Sequence, residues 1–288
     1  YSTWPAMGLR DVRRTQGLTQ RALADQAGVS RTTVVNLEAG RIRPRPSTLR
    51  RLAYALGLPA RDLILAMRDV SATGNPSGGA VIFDMDGVLL DSEPLHLQAL
   101  NEVLAPLGYR TTAAESEQLV GLTSEECWQA IVRRYSLPGD LADYLASYDE
   151  AVLRVLRQPI VATRGATELI AGLRRQGFRV GLASASRRAW VDATLSGLGL
   201  ADAFDVVVSG DDVTHGKPSP DLFVLAARGL GVPADRCVVI EDSPHGVLAA
   251  KRAGMTAVAL RTTSTSHFAF DNADQVIDSL AGWNPADI

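Results

Sequence analysis

The chain of 288 residues holds only two cysteines, Cys127 and Cys237, and four histidines. Two thiols are too few for a disulfide framework or a cysteine-built zinc site, and they read as reduced packing residues. No apolar run approaches the ~20 residues that a membrane helix needs. The opening stretch, residues 1–7, lacks the apolar centre of a signal peptide. These absences exclude a disulfide-stapled secreted domain and a bilayer-spanning chain, so a cytoplasmic location without a membrane partner is expected. The composition, 46% hydrophobic and 21% charged, belongs to a folded chain rather than a disordered, collagen-like or coiled-coil one. The length fits two domains.

A net charge of −3 hides an asymmetry. Residues 1–70 carry twelve arginines, no lysine and five acids, a net of +7; the remainder carries −10. A small basic unit beside a larger acidic one suggests two partners of different kinds. Between them, residues 71–79 contain no periodicity and no large apolar side chain, the composition of a flexible linker. The expected division is 7–70, the linker 71–79, a larger unit over 80–93 and 160–288, and an insertion over 94–159.

Short helical signals punctuate the basic unit. Thr19 precedes a helix with Ala22, Leu23 and Ala27 on one side, and Gly28 ends it. Ser30 then opens a second helix from Arg31 to Glu38. Two helices joined by a tight glycine-led turn form the helix-turn-helix pattern. Leu18-Thr19-Gln20, Leu23-Ala24, Gly28-Val29-Ser30, Leu37-Glu38-Ala39-Gly40, Pro46, Leu49 and Ala53 to Gly57 resemble the Cro/repressor (xenobiotic-response-element) helix-turn-helix family over residues 8–65. The resemblance implies a five-helix all-α DNA-binding domain whose helix from Arg31 enters the major groove. Arg31, Thr32 and Asn36 are then base-reading candidates, and Gln20, Arg41 and Arg43 are phosphate contacts. A homodimer on DNA is expected, because one such domain covers one half-site.

The acidic unit alternates apolar runs with helical stretches, which predicts a parallel sheet covered on both faces. Strands are expected at 80–83, 179–183, 204–208, 237–240 and 256–260. Their ends carry chemistry: Asp84 and Asp86 after the first, Ser184 after the second, Glu241 and Asp242 after the fourth. Ligands gather at such strand ends in open α/β sheets. Four converging carboxylates repel unless a cation joins them, and an all-oxygen set favours Mg²⁺. Lys217 beside that cation makes a place for a phosphate.

Asp84-Met85-Asp86-Gly87-Val88, Ser184 in Leu182 to Ser186, Lys217 in Gly216 to Asp221, and Glu241-Asp242-Ser243 resemble the four ordered motifs of the haloacid dehalogenase superfamily. The resemblance implies a Rossmann-like core with an inserted helical cap. It makes Asp84 the nucleophile, Asp86 the general acid/base, and Ser184 and Lys217 the phosphate holders. Asp84, Asp242 and the Asp86 main-chain carbonyl would bind Mg²⁺, assisted by Glu241. Asp91-Ser92-Glu93-Pro94-Leu95-His96 is similar to the β-phosphoglucomutase-like branch. Helices are expected at 95–107, 124–135 and 141–157 in the cap. His96, Thr123, Ser124, Ser186 and Arg187 are the substrate-side candidates. Ser124 stands where the mutase carries a phosphate-gripping arginine, which disfavours a mutase. The expected activity is hydrolysis of a small phosphorylated metabolite, with a sugar phosphate as one class. A phosphosugar mutase and a regulator that uses this domain as a metabolite sensor remain the alternatives.

Overall fold

The computed structural model describes residues 9–38, 44–66, 79–116, 119 and 123–285. Five short helices come first: α1 (Leu9–Thr15), α2 (Gln20–Ala27), α3 (Arg31–Glu38), α4 (Pro46–Ala55) and α5 (Ala60–Ala66). Thr19 caps α2 by accepting from the Ala22 N–H at 3.0 Å. Gly28 ends that helix in the left-handed region, φ 62°. The Ser30 hydroxyl accepts from the Thr33 N–H and opens α3. Leu23, Val34, Leu37, Leu52, Leu56 and Leu63 share one core. Beneath α3, Glu38 is buried against Arg13. The expected linker, apart from Gly79, lies outside the described residues, as do Arg41 and Arg43.

The second unit is a six-stranded sheet in the order β3-β2-β1-β4-β5-β6, with every neighbouring pair parallel. The strands are β1 (Ala80–Phe83), β2 (Arg179–Ala183), β3 (Val206–Val208), β4 (Cys237–Glu241), β5 (Thr256–Leu260) and β6 (Gln275–Ile277). Both faces are covered, each by its own apolar cluster. The helices of the core are α10 (Ala166–Arg175), α11 (Arg188–Gly197), α12 (Asp221–Leu230) and α13 (Pro244–Arg252). The sequence did not announce β6, whose three residues alternate weakly and stay partly exposed. Strand β3 starts at Val206 rather than Phe204; just before it the Asp205 N–H donates to the Val180 carbonyl and the Asp205 carboxylate accepts from the Val180 N–H.

Between β1 and β2 the described residues form helices and no strand: α6 (Glu93–Leu104), α7 (Ala113–Ser116), α8 (Ser124–Tyr135) and α9 (Leu141–Leu156). Helix α6 begins two residues earlier than expected, since Pro94 is tolerated in a first turn, and it tightens into a 3₁₀ turn over Ala105–Leu107. Trp128, Tyr148, Leu100 and Trp190 share its core. Among the described residues, no helix is long and apolar enough to cross a membrane.

The helical unit rests on the sheet's β3 edge. Pro46, Leu49 and Ile64 face Val206 and Val207 across a narrow crevice. Ile64 lies so near α12 that a Cβ at Gly229 would come within 3.0 Å of its methyl. Arg50 pairs with Asp192 of α11 at 3.0 Å, and Arg45 with Asp202 at 3.3 Å.

Candidate active site

Parallel pairing sets the site. Strands β1 and β4 run in register, Phe83 beside Ile240, and the Asp84 N–H extends that ladder by donating to the Ile240 carbonyl at 2.9 Å. Asp84 and Glu241 therefore emerge side by side. Asp84, Glu241 and Asp242 each bring a carboxylate oxygen within 4.8 Å of the others. Lys217 reaches in from the loop before α12, its Nζ 2.5 Å from both Asp84 Oδ1 and Glu241 Oε1.

Two glycines make this crowding feasible. A Cβ at Gly87, which has φ +75°, would lie 1.9 Å from Asp242 Oδ2. A Cβ at Gly246 would lie 1.7 Å from Glu241 Oε1. The acids are thus cradled by backbone that admits no side chain. Glu241 Oε2 is held by the Ser243 N–H and hydroxyl, at 2.7 and 2.8 Å.

The electrostatics follow from burial. Burial raises the Asp84 pKa above the ordinary carboxylate value; Lys217 opposes that rise, and Glu241 and Asp86 add to it. Burial also raises Asp242, reinforced by Glu241 and Asp84. Lys217 loses hydration by burial, but its two carboxylates outweigh that loss and keep it an ammonium. One cation among three converging acids leaves negative charge uncompensated, which suits a hard divalent ion bound by oxygen.

Asp86 stands apart from this trio. Its Oδ2 accepts from the Ser186 hydroxyl at 2.8 Å, and its Oδ1 lies 4.0 Å from His96 Nε2. Ser184 is fully buried at the end of β2, and its Oγ accepts from the Ser186 N–H at 3.0 Å. Asp84, Asp86, Ser184, Ser186, Lys217, Glu241, Asp242 and His96 thus gather at one end of the sheet.

The other substrate-side residues are placed differently. The Thr123 hydroxyl is engaged in a capping box with Glu126 at the start of α8, and Ser124 is the exposed first residue of that helix. Arg187 is paired with Asp149 of α9 at 2.7 Å, joining core to cap. Gly121 and Leu122 lie outside the described residues. Burial pushes the Cys127 and Cys237 thiols up to about 11 and about 12, so neither is a reactive thiolate near neutral pH.

Sequence reasoning missed Tyr148. Its hydroxyl sits 2.9 Å from His96 Nδ1, 52 residues along the chain, and no local motif marks it. Trp190 packs on the same imidazole, ring centroids 5.5 Å apart.

In the helical unit, Arg31 and Thr32 are exposed at the start of α3, and Asn36 is half-buried. Gln20 turns its amide inward to donate to Glu38 at 2.8 Å.

The comparisons agree with this geometry. Residues 81–260 match the haloacid dehalogenase-like hydrolase family, and residues 9–63 match a helix-turn-helix family. Fructose-1-phosphate phosphatase YqaB of Escherichia coli is 36% identical over 184 residues, 63% of this chain and 95% of that protein. The bifunctional riboflavin kinase/FMN phosphatase of Arabidopsis thaliana is 34% identical over 69% of this chain, which spans only 53% of that longer protein. The crystal structure of CbbY from Rhodobacter sphaeroides in complex with phosphate superposes with a TM-score of 0.64 at 33% identity, covering 71% of this chain and 95% of that one. The chain belongs to the haloacid dehalogenase-like hydrolases, among their phosphatases, and carries a helix-turn-helix domain ahead of the hydrolase fold.

Proposed function

We propose that this enzyme is a Mg²⁺-dependent phosphatase that hydrolyses a small phosphorylated metabolite, a sugar phosphate by preference, through an aspartyl-phosphate on Asp84. The observation that carries the reading is Lys217 Nζ at 2.5 Å from both Asp84 and Glu241, beside Asp242. Asp84, Asp242 and the Asp86 carbonyl are the residues that would hold the ion. When bound, the ion supplies positive charge to the phosphate oxygens.

The protein's own groups divide the remaining work. An Asp84 carboxylate oxygen attacks phosphorus, and the bond to the ester oxygen breaks. Asp86 delivers a proton to that leaving oxygen, then takes one from the water that cleaves the acyl phosphate. Lys217 and Ser184 hold the non-bridging oxygens. The helical insertion α6–α9 covers the site and excludes bulk water. The helix-turn-helix domain supports DNA as a second partner, bound as a homodimer and contacted through Arg31 and Thr32. A role in transcription regulation follows if ligand and DNA affinities are linked.

The test is phosphate release with Mg²⁺ across a panel of sugar phosphates and other small monoesters, with Asp84→Asn as control. Release that disappears in the variant and in excess chelator is expected. Release that persists in Asp84→Asn sinks the mechanism. A phosphoryl group moved within the substrate, without free phosphate, identifies a mutase instead.

A further inference from the structure

The cap contributes a residue to the acid/base end of the site that no sequence motif marks. Tyr148 lies on α9 and is 7% exposed. Its ring meets Trp128 edge-on at 5.7 Å and Trp190 edge-on at 5.9 Å between centroids. Two buried indoles therefore fix the phenol in one orientation, and its hydroxyl lies 2.9 Å from His96 Nδ1. Among the described residues, His96 is the only hydrogen-bond partner of that hydroxyl.

Either nitrogen of a neutral imidazole can carry the proton, and its partner decides which one does. The other face of His96 settles the choice. Nε2 points toward Asp86 Oδ1, 4.0 Å away. A carboxylate only accepts hydrogen bonds, so a bare nitrogen lone pair directed at it is repelled, whereas an N–H is attracted. The favourable tautomer carries hydrogen on Nε2 and leaves Nδ1 bare. A bare Nδ1 needs a donor, and the phenol O–H provides it. Burial raises the Tyr148 pKa, so the phenol keeps that hydrogen. Burial lowers the His96 pKa, with Asp86 opposing.

We propose that Tyr148 is a positioning residue: its hydroxyl donates to His96 Nδ1 and holds the imidazole in the Nε2–H form that faces Asp86. The inference rests on the reading of Asp86 as the acid/base. The Ser186 hydroxyl donates to Oδ2 at 2.8 Å and the imidazole Nε2 lies 4.0 Å from Oδ1, so the Asp86 carboxylate has a neighbour on each side. On the reading of Asp86 as the acid/base, the imidazole N–H faces the carboxylate that would protonate the leaving alcohol. A neutral donor there suits an uncharged hydroxyl oxygen better than a second phosphate. The cap is therefore part of the catalytic geometry as well as a cover.

The experiment uses the full chain, labelled with ¹⁵N at histidine, with His96 assigned by the signal lost in His96→Gln. The wild type is expected to show the Nε2–H tautomer at His96, and Tyr148→Phe a mixture of tautomers. Against para-nitrophenyl phosphate with Mg²⁺, Tyr148→Phe is expected to lower kcat about tenfold, the size typical of losing an orienting partner, with KM within about twofold. In the His96→Gln background the same substitution should add nothing, because it acts through that ring. An Nδ1–H or doubly protonated His96 in the wild type overturns the proposal, as do fully additive effects on kcat. The tautomer measurement needs only folded wild type and His96→Gln, so it decides even if Tyr148→Phe is unstable. It also separates the two readings, since phosphate release insensitive to Asp84→Asn defeats the phosphatase mechanism and leaves the Tyr148 assignment standing.

Discussion

Glu38 illustrates how a single residue can tie a small domain together. Its carboxylate takes Arg13, with one Nη2–Oε2 contact at 3.1 Å, and the Gln20 amide, and it is 6% exposed. Burial alone would raise its pKa, but the Arg13 and Gln20 hydrogen bonds outweigh burial and lower it. A carboxylate with a lowered folded-state pKa stabilises the fold above its unfolded value, and that contribution disappears as pH falls through the folded value. The helix-turn-helix domain is therefore expected to lose stability progressively below about pH 4.5. Glu38→Gln should flatten that acid limb and cost about 3 kcal/mol at neutral pH, because Arg13 is left buried without its charge partner. Thermal unfolding across pH checks both. At the active site, Gly87→Ala places a methyl on Asp242 Oδ2. Phosphate release should be lost with only a modest fall in Tm, since the insult falls on the acid cluster and its Mg²⁺ response rather than on either apolar core. Retained activity in Gly87→Ala would show that Asp242 can move without consequence.

Among the elements, α8 separates two uses of one side chain. Thr123 closes a capping box with Glu126, accepting from the Glu126 N–H at 3.2 Å while the Glu126 carboxylate accepts from the Thr123 N–H at 2.8 Å. Thr123→Ala is expected to destabilise the cap by about 1 kcal/mol and to leave KM for a phosphomonoester unchanged. A raised KM without loss of stability would restore Thr123 to the substrate side. The contrast explains what was legible in advance. Asp84, Ser184 and Glu241 each follow an apolar run of strand length, so position along the chain implies position at the sheet's end. Lys217 was visible only through its motif, because no periodicity places a loop lysine beside two strand ends. Tyr148 and Asp149 sit inside an ordinary amphipathic helix. Periodicity assigns them a face but not the partner opposite, and His96 and Arg187 lie 52 and 38 residues away. Strand β6 escaped because three half-exposed residues carry too little pattern to distinguish from a loop.

At the scale of the whole molecule, the charge asymmetry of the sequence becomes contact. Basic α4 meets acidic groups of the hydrolase through Arg50–Asp192 and Arg45–Asp202, while Arg31 and Thr32 stay exposed. Arg50 is the more enclosed of the two arginines, its side chain 21% exposed against 71% for Arg45. Its pairing is expected to matter and the Arg45 pairing to contribute little. Arg50→Asp should weaken the docking by about 1 kcal/mol, a Tm drop of roughly 2–4 °C for a chain this long. The charge-swapped double variant Arg50→Asp with Asp192→Arg should recover most of it. Calorimetry of the three proteins is the measurement. Equal transitions in all three would mean that the two domains unfold without regard to each other.

The position of that docking has a consequence for how the chain can be taken apart. Among the described residues strand β3 is the outer strand of the sheet, bonded on one side only, and Val206 and Val207 lie under Pro46, Leu49 and Ile64. An open strand edge with apolar side chains is a template for a second molecule to add a strand of its own. Severing the chain between the two domains would bare that template. The hydrolase released this way would be prone to self-association, and its precipitation could be mistaken for failure to fold. The helix-turn-helix domain thus doubles as a sheath for its neighbour, and any rearrangement that parts the two domains must supply another cover for β3.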